Sequence, residues 1–465
     1  MPVFPPDRLA AWTGGTWTRL PAAPLGGFST DSRKICTGDC FVALRTENRD
    51  GHDFVRAALA AGASAALVAK ADDSLALPKL VVGDPLAALQ AIARAHRLAF
   101  GGKVVGISGS CGKTSTKELL AVLLGGAAGG VLATEGNLNN HLGVPLTLTR
   151  IDPTRHHFAV VEAGISAHGD MDLLAGMIEP DLAIITLVAE AHLKDLGNLE
   201  GVAREKAKLP AAVRPAGVAV FPRQCAELPA FRELGVDRMV LEPAEVIRPS
   251  EPPKNVVYFT VTQREDTTAV ALAYGPPPPL IFTLRRVSPG MAQNVALAIC
   301  SALWLGVSPA QIQERIGAWS PAHWRGEIVR ADGRLLYIDC YNANPASMRD
   351  ALENFRGLAN DGRPSLYLLG CMEELGPEAP AYHRALGRSL ALRSGDLAVV
   401  IGTEARSLLA GLLEAGASFD QIRVVAVAED AAALVASWSG AVFVKGSRKY
   451  RLETALSGAV AAAAH

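Results

Sequence analysis

Ten consecutive residues, Gly106-Ile107-Ser108-Gly109-Ser110-Cys111-Gly112-Lys113-Thr114-Ser115, have the types and spacing needed to hold phosphate. A short apolar run, 104–108, enters a glycine turn, and 114–124 reads as a helix. Glycines let backbone N–H groups wrap phosphate oxygens, and the start of a helix adds positive partial charge. Lys113 offers a point charge to the outer phosphates, and the Thr114 hydroxyl can ligate magnesium. The spacing is Gly109-x-x-Gly112-Lys113-Thr114; the longer form of the motif needs glycine at 107, where Ile107 stands. On residues alone, a glycine turn carrying an exposed lysine is the other reading.

Three further positions could do chemistry beside such a loop. Glu162 ends the apolar run 158–161 and precedes Gly164. A carboxylate at the C-terminal tip of a parallel strand stands where such sheets bind ligands; it either holds magnesium or forms a strand-end salt bridge. His192 follows the run 184–188 within Glu190-Ala191-His192 and either ligates a metal or packs at a strand end. Lys206 lies in the helical stretch 202–209 and, taken alone, belongs on a solvated face. Seven cysteines are scattered, with no CxxC pair. An odd, dispersed set reads as reduced cytosolic thiols, and Cys36 and Cys40 lack the partners a zinc site needs.

The elements that position these residues alternate. At 465 residues the chain has room for two to four domains. Apolar residues make up 49% and the net charge is -1, which argues against nucleic acid as a partner. No signal-peptide pattern or membrane-length apolar run occurs, so a cytoplasmic protein without membrane insertion is expected. Early in the chain 39–44 and 65–68 read as strands, with helices at 53–61 and 85–100. The second helix places Leu86, Leu89, Ala93, His96 and Phe100 near one face. Strands then follow at 104–108, 158–162, 182–186 and 218–221, a βα alternation that predicts a mostly parallel sheet. Residues 242–290 read as an antiparallel β insertion with strands at 256–261, 268–274 and 280–285, before a helix at 294–305. A last α/β pattern has strands at 335–339, 365–369, 397–401, 424–427 and 441–444 and a helix from 347; the Ala-rich tail after Gly458 reads as the frayed end of a terminal helix. Joints near 100 and 322 give three expected domains, 1–99, 100–321 and 322–465.

Taken in order, the phosphate loop, Gly136-Asn137-Leu138-Asn139-Asn140, Glu162-Ala163-Gly164, Glu190-Ala191-His192 and Lys206 resemble the Mur ligase family. So do Thr30-Asp31-Ser32-Arg33 and Asp50-Gly51-His52-Asp53-Phe54 near the N-terminus. Asp339-Cys340-Tyr341-Asn342-Ala343-Asn344-Pro345, the stretch 369–376 and Val444-Lys445-Gly446-Ser447-Arg448 look like the members that join D-alanyl-D-alanine to UDP-N-acetylmuramoyl-tripeptide. The resemblance spans nearly the whole chain. It implies an α/β protein of three domains: a small N-terminal UDP-sugar-binding domain, a central P-loop ATPase-like domain with a mostly parallel sheet plus β insertion, and a C-terminal Rossmann-like domain. It implies ATP-dependent amide-bond formation through an acyl phosphate, by a monomer using two magnesium ions.

The resemblance also implies roles. Gly109, Ser110, Cys111, Gly112, Lys113, Thr114 and Ser115 would hold ATP phosphates, with Lys113, Lys206 and His192 as the catalytic set. Thr114 and Glu162 would hold one magnesium, and His192 a second, assisted by a carbamoylated Lys206. Asn294 would lie near the adenine, and Arg325 and Asp339 would reach the nucleotide. Ser32, Arg33, Asn137, Asn139, Asn140, Tyr341, Asn342, Asn344, Lys445 and Arg448 would face the other substrates. The chain departs from the pattern at Gln293, where the family often has His, at Cys371, where it has Asp, and at Lys208, where it has an acid. Two readings compete. A ligase that adds the preceding, diamino residue would carry an Asp-Asn-Pro-Arg signature, which is not found. A P-loop switch would hydrolyse ATP slowly without any amine.

Overall fold

The computed structural model describes residues 2–72, 74–247, 253–331 and 333–456, so the tail after Gly458 lies outside the described residues. Three large sheets follow one another along the chain. The first has five strands, with Ala65–Val68 between Lys79–Val81 and Asp39–Val42. Helix Pro85–Ala99 packs Leu89 and Ile92 against Val42 and Leu67. The Asp84 carboxylate caps it by accepting from the Leu86 N–H, and Pro85 occupies its first turn. Of the expected face, Leu89, Ala93, His96 and Phe100 are buried and Leu86 only half-buried. Arg97 is also fully buried; it pairs with Asp181 at 2.8 Å and donates to the carbonyls of Ile178 and Glu179. That charged stitch ties the helix to the second sheet, and apolar periodicity gives no sign of it.

The second sheet has nine strands. Lys103–Ser108 lies between Phe158–Glu162 and Leu182–Ile185, all parallel. Successive residues of these strands point to opposite faces, and both faces are covered, which is why the strands read as unbroken apolar runs. Val105, Ile107 and Ile184 pack under helices Lys113–Leu123 and Pro289–Trp304. Val104, Val161 and Ile185 pack under Asp170–Ile178 and Leu199–Ala211. The antiparallel segment is present but does not stand apart. Val256–Gln263 pairs parallel with Arg238–Pro243, and Thr267–Leu272 and Leu280–Arg285 extend the same sheet as a hairpin. On the outermost strand, the N–H and C=O of Thr283 are both taken by the side-chain amide of Gln313, at 2.9 and 3.0 Å. Helix Pro289–Trp304 starts ahead of the expected 294, because Ser288 caps it and Pro289 fits its first turn.

The third sheet has six strands, and its order places Ala441–Lys445 between Arg334–Asp339 and Ser365–Gly370. Helix Pro345–Leu358 follows the strand Arg334–Asp339 and opens on a capping box between Asn344 and Ser347. Among the described residues, no helix is long and apolar enough to cross a membrane.

Candidate active site

The phosphate loop joins the C-terminal tip of Lys103–Ser108 to helix Lys113–Leu123. Two of its glycines are required. Gly109 has φ +149°, and a Cβ there would lie 1.9 Å from Thr186 Oγ1. Gly112 has φ +78°, and a Cβ would lie 2.2 Å from Asn294 Nδ2. The loop is pinned from beneath: Ser110 N–H donates to Leu187 O at 2.8 Å, and Ser110 Oγ donates to Ala189 O at 2.9 Å. Lys113 is half-buried and donates to Gly109 O at 2.9 Å. Loss of hydration pulls its pKa down, while nearby Glu162 pushes it up. Loss of hydration raises the Cys111 thiol to about 11, so it is a neutral lining group at pH 7.

Glu162 ends the neighbouring strand and is 1% exposed. One carboxylate oxygen accepts from Asn139 Nδ2 at 2.7 Å; the other is buried without a partner. A buried carboxylate oxygen with no donor is costly, so this position is built for something other than stability. Lys206 is likewise 1% exposed and makes no hydrogen bond or ion pair among the described residues. Burial and the neighbouring Lys113 charge hold its pKa well below that of an ordinary lysine. The expectation of a solvated face is therefore wrong. Position 206 is four residues after Val202 and three before Leu209, both buried, so it falls on the inner side of helix Leu199–Ala211.

This burial has a measurable consequence. In the unfolded chain Lys206 titrates near about 10.4, so between its lowered folded value and that pH the unfolded state binds more protons and stability rises with pH. In CO2-free buffer the parent chain should gain more stability than Lys206→Met does as pH rises toward the unfolded-state value, read in denaturant melts. Parallel curves for the two proteins would rule out a buried, neutral amine.

Residues of the third sheet close over the loop. Loop, sheet tips and third sheet enclose a cleft of about 250 Å³, lined by Lys113, Asn137, Asn139, Glu162, Asn294, Arg325, Asp339, Tyr341 and Asn342 among others. The Arg325 guanidinium stacks 3.8 Å from the centre of the Tyr341 ring. Lys445 is buried and pairs with Asp339 at 2.5 Å, leaving its charge directed at the strand tip. Asn344 Nδ2 donates to Ser110 O in the loop at 3.1 Å while its Oδ1 caps its own helix, so its side chain ties the third sheet to the loop. Asp350, one helical turn beyond Ser347, accepts from Gly290 N–H at 2.6 Å. Asp350 was missed in the sequence; its spacing of three from Ser347, on the helix that opens at Asn344, was the available signal.

Several expected residues stand elsewhere. Asn140 Oδ1 accepts from Leu142 and Gly143 N–H and so caps a local turn. Arg33 is exposed and forks onto Asp31; Ser32 sits beside it in the first domain, away from the cleft lining. Arg448 pairs with Glu453 and stacks over Trp324. His192 has φ +56° and its Nδ1 meets Glu374 Oε2 at 2.5 Å, a contact from the third sheet that the sequence did not suggest. The three departures are accommodated locally. Gln293 Nε2 donates to Thr186 O at 3.5 Å. Lys208 pairs with Asp172 and Glu205 at 2.6 and 2.7 Å. Cys371 is buried with its thiol raised to about 11, so no charge replaces the missing acid.

A glycine loop between a central parallel strand and a helix, with a buried carboxylate on the next strand tip, defines a phosphate-loop α/β protein. Residues 25–97 match the Mur ligase family catalytic domain, 107–240 the Mur ligase middle domain and 324–448 the Mur ligase glutamate ligase domain. The chain belongs to the Mur ligase family. It is 32% identical to the UDP-N-acetylmuramoyl-tripeptide--D-alanyl-D-alanine ligase of Bacillus subtilis, over 78% of this chain and 77% of that one. With the enzyme of the same name from Escherichia coli it shares 31% over 83% of each. Its fold is similar to that of MurF from Acinetobacter baumannii, with TM-score 0.84, 28% identity and 98% of each chain covered. The MurF ligase from Thermotoga maritima, solved in complex with ADP, gives TM-score 0.77 and 25% identity over 93% of this chain and 96% of that one.

Proposed function

We propose that this chain is an ATP-dependent ligase that joins D-alanyl-D-alanine to UDP-N-acetylmuramoyl-tripeptide in peptidoglycan precursor synthesis. The observation that carries the reading is the half-satisfied, buried Glu162 facing the phosphate loop across from Lys113. Such a pair suits transfer of a phosphoryl group, where positioning and charge neutralisation do most of the work. The tripeptide carboxylate is a poor electrophile. Its oxygen attacks the terminal phosphorus of ATP, the bond to the ADP oxygen breaks, and an acyl phosphate forms. The dipeptide amine then attacks the acyl carbon, the amide forms as phosphate leaves, and the amine gives up a proton.

The residues divide this work. The loop amides, Lys113 and Arg325 take the charge of the phosphates. Asn294, packed on Gly112, lies beside the nucleotide, and Asp339 is in reach of its sugar. Asn137 and Asn139 face the muramoyl peptide; Tyr341, Asn342 and Lys445 guide the dipeptide side. The third body covers the cleft, which keeps water from the acyl phosphate. The donor set fits Mg²⁺: Glu162 and the Thr114 hydroxyl are hard oxygen ligands, and phosphate and water oxygens would complete the shell. Bound there, the ion would neutralise phosphate charge. An unprotonated amine is the form that reacts with CO2, so the Lys206 environment suits carbamoylation, and the added carboxylate would serve a second ion. His192 could share that ion through Nε2 while Glu374 holds its Nδ1. The reading carries with it a cytoplasmic location and a monomer.

The test is phosphate release across a matrix of UDP-muramoyl-tripeptides and dipeptides. Release should require ATP, a tripeptide and D-alanyl-D-alanine together, with L,L-dialanine inactive. Steady ATP hydrolysis that ignores the acceptor would favour a switch instead.

A further inference from the structure

A second cavity, of about 640 Å³, lies at the seam between the second and third sheets and shares no lining residue with the catalytic cleft. One wall is the turn after Val256–Gln263 together with Arg286; the other is the hairpin of Glu327–Ala331 and Arg334–Asp339 with the end of helix Pro345–Leu358. Among the described residues, five arginines line it, at 264, 286, 330, 334 and 363, against two carboxylates, Glu265 and Asp361.

The arginines are not all neutralised. Arg330 reaches Asp266 at 3.3 Å and Arg363 reaches Asp361 at 2.5 Å. Among the described residues, Arg264, Arg286 and Arg334 pair with no carboxylate. Arg286 and Arg334 are instead held by backbone carbonyls: Arg286 Nη1 donates to Arg264 O at 2.8 Å, and Arg334 Nη2 to Val435 O at 2.6 Å. Each also has a buried Nε–H with no partner. Guanidinium groups gathered in one cavity repel each other, and buried donors without acceptors are costly. Both costs are removed by one kind of ligand, an anion with several oxygens that accept from planar forks. The lining has no aromatic side chain on which a base could stack.

We propose that this seam is a binding site for an oligophosphate anion, two or more linked phosphate groups recognised without a nucleobase. Because the arginines come from both bodies, the anion bridges the second and third sheets behind the cleft that they close.

The probe is inorganic tripolyphosphate, titrated calorimetrically without divalent cation into the full-length Lys113→Ala chain, which weakens the phosphate loop as a competing site. One saturable event is expected, weakening as salt rises. Arg286→Gln should reduce the affinity by about tenfold or more. Arg264 is exposed, so Arg264→Gln tests the site without risk to the fold; it too should weaken binding while phosphate release, in an otherwise parental chain, is retained. ADP should bind there no more tightly than pyrophosphate. Absence of saturable binding, binding unchanged in both arginine variants, or a requirement for the adenosine moiety would each overturn the proposal. Ligase turnover reads the other cleft, so this site and the proposed reaction can fail separately.

Discussion

Replacing Lys113 with methionine is expected to lower the rate of ATP-dependent phosphate release by about three orders of magnitude while leaving the fold intact, the size of loss seen when a charge-stabilising donor is removed from a reacting centre. The lysine is half-buried at the start of helix Lys113–Leu123, and its side-chain hydrogen bond to Gly109 O is a contact that phosphate oxygens can replace. Its pKa is lowered by lost hydration, so the charged form gains most when an anion arrives. Methionine keeps the length of the stem and its packing. Thermal melts should therefore match the parent, and ADP affinity should fall. Turnover within about tenfold of the parent would remove Lys113 from the chemistry.

Glu162→Gln should separate activity from stability. The amide oxygen can still accept from Asn139 Nδ2, which now meets Glu162 Oε1 at 2.7 Å. The second oxygen has no partner to lose, and the change removes a charge from a site that is 1% exposed. Neutralising an under-satisfied buried charge relieves its desolvation cost, which offsets the unpaired N–H groups that the glutamine brings, so stability should not fall. Yet a neutral amide is a far weaker ligand for magnesium, so phosphate release should drop by about 100-fold or more and the magnesium needed for half-maximal rate should rise. If stability falls along with activity, Glu162 is a structural strut and the magnesium assignment fails.

The sheets and most strands were legible because parallel strands covered on both faces leave plain apolar runs, such as 158–161 and 397–401. The phosphate loop was legible because two of its glycines have no substitute at their torsions and contacts. What escaped depends on where helices face and on contacts far apart in sequence. Lys206 on its own looked solvated because residue type outweighed spacing. Arg97 and Asp181 come together only when the first sheet docks on the second. The same is true of His192 with Glu374 and of Asp350 with Gly290, each joining segments from different sheets. Asn140 and Asn344 show the opposite limit: a motif names the residue, but capping has already used the side chain of one, and the other spends its amide on the loop.

The Gln313 amide on the outer strand of the nine-stranded sheet bears on self-association. A bare strand edge offers a row of donors and acceptors to any extended chain that drifts past. Alternate residues of Leu280–Arg285 point outward, including the exposed Ile281, so this border would otherwise be a ready template. By filling both groups of Thr283 midway along the border, the glutamine imitates the neighbour that is not there. An incoming chain finds its register interrupted, and a long open sheet can remain in solution without recruiting copies of itself.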